Sequence, residues 1–202
     1  SGNENVIISI DGFVVTFSAV ENWNGTETVT FTVDDLQGRA IATDEVEVVV
    51  TPVNDAPVLS EIGDQQTDED TPLEIILTAE DIDGDDLLFN ASSSSPADVS
   101  VSIEDTILTL IPFQNFNGIV EINVSVGDGE LTDSELFTLT VHPVNDAPTI
   151  DLPESVTLAE DEGTVEDFSE FITDIDEDEL ILTASGNENV IISIDGFVVT
   201  FS

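Results

Sequence analysis

Short stretches in which apolar and polar residues alternate run along most of this chain, and they predict β-strands. Residues 28–33, 121–126 and 136–141 show the pattern most clearly. A period of two places successive side chains on opposite faces of a strand, so that one face enters a core and the other meets solvent. No stretch has the 3.6-residue period of a helix, and we therefore predict an all-β fold. The residues expected to point inward are Val29, Phe31, Val33, Ile122, Val124, Val126, Phe137, Leu139 and Val141.

The middle of the chain contains seven such strands, separated by clusters of Gly, Asn, Asp and Pro. Seven short strands in about 90 residues are typical of a β-sandwich of the immunoglobulin type. We predict a seven-stranded Greek-key sandwich here. Its strands are expected near residues 57–62, 72–80, 86–91, 99–104, 107–112, 118–126 and 134–142.

The sequence also repeats itself at two different spacings. Residues 1–18 recur without change at 185–202, an offset of 184, and Pro-Val-Asn-Asp-Ala-Pro occurs at 52–57 and again at 143–148, an offset of 91. Two kinds of unit, each of about 90 residues, therefore alternate in tandem. The predicted organisation is a complete unit at 58–148, the C-terminal part of the second kind of unit at 1–57, and the N-terminal part of that same kind at 149–202.

Two explanations of this arrangement remain open. The first is that the sequence is a window on a longer array with a 184-residue period. The second is that the ends of different copies complement each other in a fibre, with strands donated from one molecule to the next. The duplicated segment of 18 residues weighs against a fibre, because its two copies would compete for one place.

The amino-acid composition excludes several classes of function. The chain has 45 acidic residues, one Arg and no Lys, which gives a net charge of −44. Such a chain cannot neutralise phosphates, so nucleic-acid binding is excluded, and anionic membranes repel it. The 40% apolar content suffices for a core. There are no cysteines and no apolar run near the ~20 residues that span a bilayer.

Catalytic chemistry has little support in the sequence. No nucleophile, His and acid form a recognisable set, no Gly-rich phosphate loop is present, and no cofactor site is evident. The single histidine, His142, follows an inward-facing position and is expected to face solvent. Arg39 is expected to bridge acids in its own loop. We therefore predict no catalytic residues and no enzyme activity.

The acids are concentrated in the loops at the two ends of the predicted sandwich. If successive strands alternate in direction, the second–third and sixth–seventh loops lie beside the incoming linker, and the first–second loop lies beside the outgoing one. Carboxylates gathered in this way repel each other unless a cation lies among them, and one Arg cannot provide it. Oxygen ligands in irregular loops favour Ca²⁺ over Mg²⁺ or Zn²⁺. The clusters are Asp81, Asp83, Asp85, Asp128 and Glu130 with Asn54 and Asp55, and then Asp68, Glu69 and Asp70 with Asn145, Asp146, Asp174, Asp176 and Asp178.

Three motifs together resemble the cadherin-like tandem repeats of large bacterial surface proteins and adhesins. They are Pro-Val-Asn-Asp-Ala-Pro at 52–57, Glu-Asp-Thr-Pro at 69–72 and Ala-Glu-Asp-Ile-Asp-Gly at 79–84. In cadherins, a linker Asn-Asp, an Asp-x-Asp of the following domain and acids of the preceding domain hold calcium between domains. The resemblance implies one calcium site formed by Asn54, Asp55, Asp81, Asp83 and Asp128, and a second formed by Asn145, Asp146, Asp174, Asp176 and Glu69.

The resemblance implies a structural role outside the cell. We expect a calcium-rigidified repeat unit of an extracellular stalk, adhesin extender or surface filament. Its partners would be neighbouring repeats and, in a fibre, other copies of the chain. The alternative is an adhesive module that binds a glycan or another copy on a neighbouring cell. Trp23 and Phe116 are the aromatic candidates for that role, but they occupy equivalent places in the two units, which favours a structural plug.

Overall fold

The computed structural model describes residues 4–36, 38, 41–186 and 188–202. Arg39, expected to bridge nearby acids, lies outside these residues. The described residues form strands, loops and one short 3₁₀ helix at Ser169–Phe171, and they contain no α-helix, so the predicted all-β class is confirmed. The strands are β1 (Val6–Asp11), β2 (Val14–Ala19), β3 (Gly25–Asp34), β4 (Ile41–Val50), β5 (Val58–Leu59), β6 (Gln65–Asp68), β7 (Leu73–Ile76), β8 (Ala79–Glu80), β9 (Leu88–Ser93), β10 (Val99–Glu104), β11 (Ile107–Pro112), β12 (Gly118–Gly127), β13 (Thr132–His142), β14 (Thr149–Ile150), β15 (Thr164–Asp167), β16 (Ile172–Thr173), β17 (Ile192–Asp195) and β18 (Val198–Phe201).

Strands β5 to β13 form a two-layer structure that we call the central sandwich. One sheet has the order β10-β11-β7 and the other the order β6-β13-β12-β9, with β5 and β8 paired at one end. The core between the two sheets takes side chains from both of them. Its buried members are Leu77, Val99, Leu108 and Leu110 from the first sheet and its edge, and Val120, Ile122, Val124, Phe137, Leu139 and Val141 from the second.

The alternation on β12 and β13 predicts their buried faces correctly. All six predicted inward residues of these strands are at most 3% exposed. The prediction is only partly correct for β3, where Val29 is buried but Val33 is 63% exposed. In the described part of the chain β3 pairs with β4 alone, and the side chain of Val33 near its C-terminal end is open to solvent.

Two strand predictions are wrong in detail. The strand predicted at 57–62 ends at Leu59. The next strand, β6, pairs in parallel with β13 in the four-stranded sheet. The sequence Gln-Gln-Thr-Asp of β6 shows no alternation, so only this non-local pairing identifies it. The strand predicted at 72–80 is interrupted at Leu77, whose buried side chain enters the core and whose amide donates to the Thr106 carbonyl at 2.8 Å.

Pairing registers repeat along the chain at the spacing of the sequence repeat. The sheet β15-β18-β17, which we call the C-terminal sheet, has the same strand order as β7-β11-β10. Val199 pairs with Glu166 in the C-terminal sheet, and Leu108 pairs with Ile75 in the central sandwich. Each residue of the first pair lies 91 positions after its counterpart in the second pair. The hairpin β3–β4 likewise repeats β12–β13, with Gly25 opposite Val50 as Gly118 is opposite Val141. The two kinds of unit therefore fold from the same parts.

The aromatic residues ahead of β3 and β12 lie against the backbone of a glycine. A Cβ built on Gly25 would be 3.0 Å from a carbon of the Trp23 ring, and one on Gly118 would be 3.3 Å from the Phe116 ring. Both glycines have φ near +150°, a conformation that residues with a side chain rarely adopt. This close packing supports the interpretation of both rings as structural plugs.

Leu139→Ala should destabilise the central sandwich by about 2–5 kcal/mol, because it leaves a cavity at a fully buried position. Leu136→Ala is the matched control on the opposite face of the same strand, where the side chain is 60% exposed, and should change stability by less than about 0.5 kcal/mol. Urea denaturation followed by circular dichroism measures both. Equal effects of the two substitutions would contradict the assigned faces of β13.

Candidate metal centres at the two linkers

The loop after β8 folds around the carboxylate of Asp81. Its Oδ1 atom accepts hydrogen bonds from the backbone amides of Asp83, Gly84 and Asp85, at 3.0, 2.9 and 3.1 Å. A short side chain that binds the amides ahead of it holds a tight turn without neighbouring strands. The turn brings one carboxylate oxygen each from Asp81, Asp83 and Asp85 within 4.8 Å of one another.

The first linker, Asn54–Asp55, is attached to this loop and to the loop between β12 and β13. The Asp55 amide donates to Asp83 Oδ2 at 2.8 Å, and Asn54 Nδ2 donates to Asp128 Oδ2 at 2.9 Å. Asp128 Oδ1 accepts from the amides of Glu130 and Leu131, each at 2.7 Å. All five residues predicted for the first site therefore lie at one end of the central sandwich.

The surroundings shift the pKa values of two carboxyl groups here, those of Asp128 and Asp85, in opposite directions. Hydrogen bonds from the amides of Leu131 and Glu130, and then from Asn54, lower the pKa of Asp128 below its ordinary value of 3.8. The pKa of Asp85 is raised, first by partial removal from water and then by the negative charges of Asp81, Asp83, Asp128 and Asp86. The ionised Asp128 is thus held by donors, whereas the ionised Asp85 is repelled by its neighbours.

Asp81 Oδ2 is buried and has no hydrogen-bond partner. Burying a carboxylate oxygen without a donor is unfavourable, since the lost hydration is not replaced. A bound cation beside Asp81 would supply the missing interaction.

At the second linker, three segments of the chain meet. Glu69, in the turn after β6, is only 3% exposed, and its Oε1 atom accepts from the Val144 amide at 2.6 Å. The Asp146 amide donates to Asp176 Oδ2 at 2.6 Å. Glu69, Asp146 and Asp176 each place a carboxylate oxygen within 4.8 Å of the other two. One acid thus comes from the central sandwich, one from the linker and one from the segment that follows.

The loop after β16 repeats the turn seen at Asp81. Asp174 Oδ1 accepts from the amides of Asp176 and Asp178, at 3.0 and 3.2 Å, and oxygens of these three acids lie within 4.8 Å of one another. Asp176 belongs to both groups. Asn145 differs from Asn54, since it is exposed and its Nδ2 atom donates to the Asp146 carbonyl at 3.0 Å. Four of the five residues predicted for the second site therefore converge, and Asn145 bonds within the linker.

The negative charges of the acids at the second linker also repel one another. The pKa of Asp146 is raised, first by partial removal from water and then by the negative charges of Asp176, Asp70, Glu69 and Asp174. A raised pKa for an acid means that its ionised form is less stable here than in water. A cation would reverse this penalty.

Sequence reasoning missed some residues of these sites. The ligand sets implied by the resemblance omit Asp85 and Asp178, although the acid clusters found in the sequence already included both residues. Asn115 was also missed: its amide donates to Asp70 Oδ1 at 3.1 Å, and its own Oδ1 atom is buried without a partner. It lines a cavity of about 330 Å³ together with Asp146 and Asp174. The recurrence of this asparagine at positions 22 and 115 was the available signal.

Comparison with known proteins agrees with the fold. Residues 54–140 match the family model described as bacterial Ig domain. No curated protein sequence matches the chain. Within the described residues there is no helix that is long and apolar enough to span a bilayer.

Several solved structures resemble the chain at low identity. Extracellular cadherin domains 1–4 of protocadherin gamma B7 share 16% identity at a TM-score of 0.48, with 100% of this chain and 56% of that chain covered. An I-band fragment of titin shares 11% at a TM-score of 0.39, covering 100% and 72%. An endo-fucoidan hydrolase of glycoside hydrolase family 107 shares 18% at 0.39, and this chain spans 33% of its length. At these identities and TM-scores the likenesses carry no information about function.

Asp128→Asn should lower the stability of the metal-free protein at pH 7 and weaken its acid sensitivity. Because the folded-state pKa of Asp128 is lowered, its contribution is fully present above the ordinary value of 3.8 and is lost as the pH falls through the lower folded-state value. Urea denaturation in EDTA at pH 7 and pH 3 measures the effect. Glu121→Gln, an exposed acid on β12, is the control. An unchanged acid response in Asp128→Asn would contradict the assignment.

Proposed function

We propose that this chain is a structural repeat unit of an extracellular stalk, adhesin extender or surface filament, and that Ca²⁺ bound at its linkers fixes neighbouring sandwiches relative to one another. The observation that carries the proposal is that Glu69, Asp146 and Asp176 each place one carboxylate oxygen within 4.8 Å of the other two. A cation bound by these three acids would connect one sandwich, the linker and the next unit. The role is mechanical and non-catalytic.

The donor set favours calcium among the common metal ions. Every candidate ligand is an oxygen, and the acids lie in irregular loops that can supply six to eight ligands at unequal angles. Mg²⁺ demands octahedral geometry and keeps its waters, and Zn²⁺ prefers His and Cys. The chain has no Cys, and its one histidine, His142, contacts Gln66 Oε1 at 3.2 Å on the surface.

Calcium would act by thermodynamic linkage. The ions bind the ordered linker and not the disordered one, so they stabilise the ordered form by RT ln(1 + [L]/Kd), about 2.7 kcal/mol at a hundredfold excess over Kd. They also offset part of the net charge of −44, which otherwise drives neighbouring units apart. Millimolar extracellular calcium is sufficient even for weak sites.

Further observations support the structural role and the location. The match of residues 54–140 to a bacterial Ig domain supports placement in an extracellular surface protein whose partners are neighbouring repeats. Trp23 and Phe116, which a glycan-binding role would use, pack over Gly25 and Gly118. We therefore propose the spacer role rather than the adhesive one.

Calcium should raise the melting temperature of the full chain by about 10 °C or more over EDTA, and Mg²⁺ should have little effect. Asp83→Asn should reduce the rise, because Asp83 belongs to the first group of acids. Glu104→Gln, an exposed acid on β10 outside both groups, is the control and should respond like the wild type. Differential scanning calorimetry measures the shift. Equal melting temperatures in Ca²⁺, Mg²⁺ and EDTA would contradict the proposal.

Asp146→Asn should have opposite effects in the two conditions. In EDTA at pH 7 it should stabilise the second linker, since the pKa of Asp146 is raised by burial and by repulsion from Asp176 and its neighbours. In calcium it should destabilise the linker, because a charged ligand is lost. Thermal denaturation in both buffers tests for this crossover, and destabilisation in both would indicate that Asp146 has a purely structural role.

A further inference from the structure

A cavity of the same construction lies at each linker. Eight residues line it at the second linker, and the eight residues at the equivalent positions line it at the first. Counterparts lie 91 positions apart within the linker segment and 93 positions apart in the two loops beside it. The central sandwich forms part of the wall of both cavities, because it precedes the second linker and follows the first. The cavity is therefore a recurring feature of the linkers.

Three polar positions are identical in the two cavities. They are an asparagine from a loop of the preceding unit, the aspartate of the linker, and the first aspartate of the Asp-x-Asp loop that follows. These residues are Asn22, Asp55 and Asp81 at the first linker, and Asn115, Asp146 and Asp174 at the second. Each cavity thus combines a neutral amide side chain with carboxylates from the linker and from the following loop.

The backbone fixes the position of this asparagine. Asn115 and Asn22 both have a φ of 58°, a left-handed conformation that asparagine tolerates better than most residues. The Asn115 amide donates to Asp70 Oδ1 at 3.1 Å, and the ring of the next residue, Phe116, lies against Gly118. The turn thus places the Asn115 side chain at the cavity without using its amide oxygen.

Oxygen atoms in these cavities lack hydrogen-bond donors. Asn115 Oδ1 is buried without a partner, and so is Asp81 Oδ2 in the equivalent cavity at the first linker. A buried acceptor loses its hydration without replacement, and a carboxylate or amide oxygen cannot donate to another oxygen. A cation in the cavity would interact with both kinds of oxygen at once.

A neutral ligand suits this position better than a further acid. The pKa of Asp146 is already raised, first by partial removal from water and then by the negative charges of Asp176, Asp70, Glu69 and Asp174. A carboxylate in place of the asparagine would add to that repulsion, whereas an amide oxygen supplies a ligand without a charge. Asparagine carbonyls are ordinary ligands of Ca²⁺.

We propose that Oδ1 of Asn115 is a calcium ligand, which binds the same ion as the carboxylates of Asp146 and Asp174. The proposal rests on the proposed calcium function and extends its site to the loop between β11 and β12. The central sandwich would then hold the ions of the second linker at two places, Glu69 and Asn115. Two attachments restrict rotation about the linker more strongly than one.

Terbium luminescence can report on the second linker alone. Tb³⁺ occupies calcium sites built from oxygen ligands, and it emits when a nearby tryptophan is excited. The chain has one tryptophan, Trp23, and no tyrosine. Trp23 lines a cavity at the first linker with Asp55 and Asp83, and Phe116 occupies the equivalent place at the second. Trp23→Phe together with Phe116→Trp, in the full chain, therefore moves the reporter to the second linker.

In this reporter chain Tb³⁺ should emit on tryptophan excitation, and Ca²⁺ should displace it. Asn115→Gly should weaken the affinity for both ions at least about tenfold, since even the loss of a residue that only supports a ligand costs that much. Glycine adopts a φ of 58° readily, so the turn is kept. Asn115→Asp returns an oxygen to the same place and should restore binding. Asn117→Ser is the control, at an exposed position of the same loop that does not line the cavity.

Differential scanning calorimetry supplies a second measurement without the reporter. In the chain with its own Trp23 and Phe116, calcium should raise the melting temperature of Asn115→Gly by less than it raises that of the wild type. Asn117→Ser should respond like the wild type. Circular dichroism in EDTA checks that each variant is folded.

The outcomes separate this inference from the proposed function. Calcium-displaceable emission with equal affinities in Asn115→Gly and Asn117→Ser would overturn the role of Asn115 and leave the proposed function intact. Weakened binding that Asn115→Asp does not restore would indicate that the asparagine only shapes its loop, and would also overturn that role. A chain that shows no calcium-displaceable emission and melts at the same temperature in calcium and EDTA would instead overturn the proposed function itself.

Discussion

Mutual repulsion between carboxylates is the constraint on which the arrangement of this molecule depends. Each linker gathers several acids in a chain with a single Arg, and the pKa values of Asp85 and Asp146 are raised first by partial removal from water and then by that repulsion. The acids nevertheless remain in place, because backbone amides hold them: those of Asp83, Gly84 and Asp85 on Asp81, and that of Val144 on Glu69. The loops are thus preorganised for a cation, which would convert a repulsive junction into a rigid one.

The fold follows from two properties of the sequence, the alternation of apolar residues and the repeat. Alternation identified β12 and β13 with their buried faces, since both strands lie over one core and meet solvent on the other side. It failed for β6, whose polar residues are placed by parallel pairing with β13, and at Leu77, where a strand breaks to send a side chain inward. Both failures involve contacts between residues distant in sequence, which no local pattern records.

The candidate sites were predictable to the extent that strand direction determines which loops share an end of the sandwich. That reasoning and the resemblance to cadherin-like repeats grouped Asp81, Asp83 and Asp128, and likewise Glu69 and Asp146. The recurrence of an asparagine at positions 22 and 115 marked Asn115 for attention, but its contact with Asp70 was not predictable, because it depends on the left-handed backbone of both residues. The spacing of residues in the sequence also could not predict that the side chain of Asn145 bonds to the Asp146 carbonyl within its own linker.

Distance distributions across the second linker test the central claim most directly. The chain has no cysteine, so Ser102→Cys and Ser193→Cys provide unique spin-label sites at equivalent exposed positions of β10 and β17. Double electron–electron resonance, with labelled protein diluted in unlabelled protein, measures the width of the distribution within one chain. We predict a single narrow distance in Ca²⁺ and a broad distribution in EDTA and in Mg²⁺. A width unchanged by calcium would contradict the account, since the linker would then be no more rigid with the ion than without it.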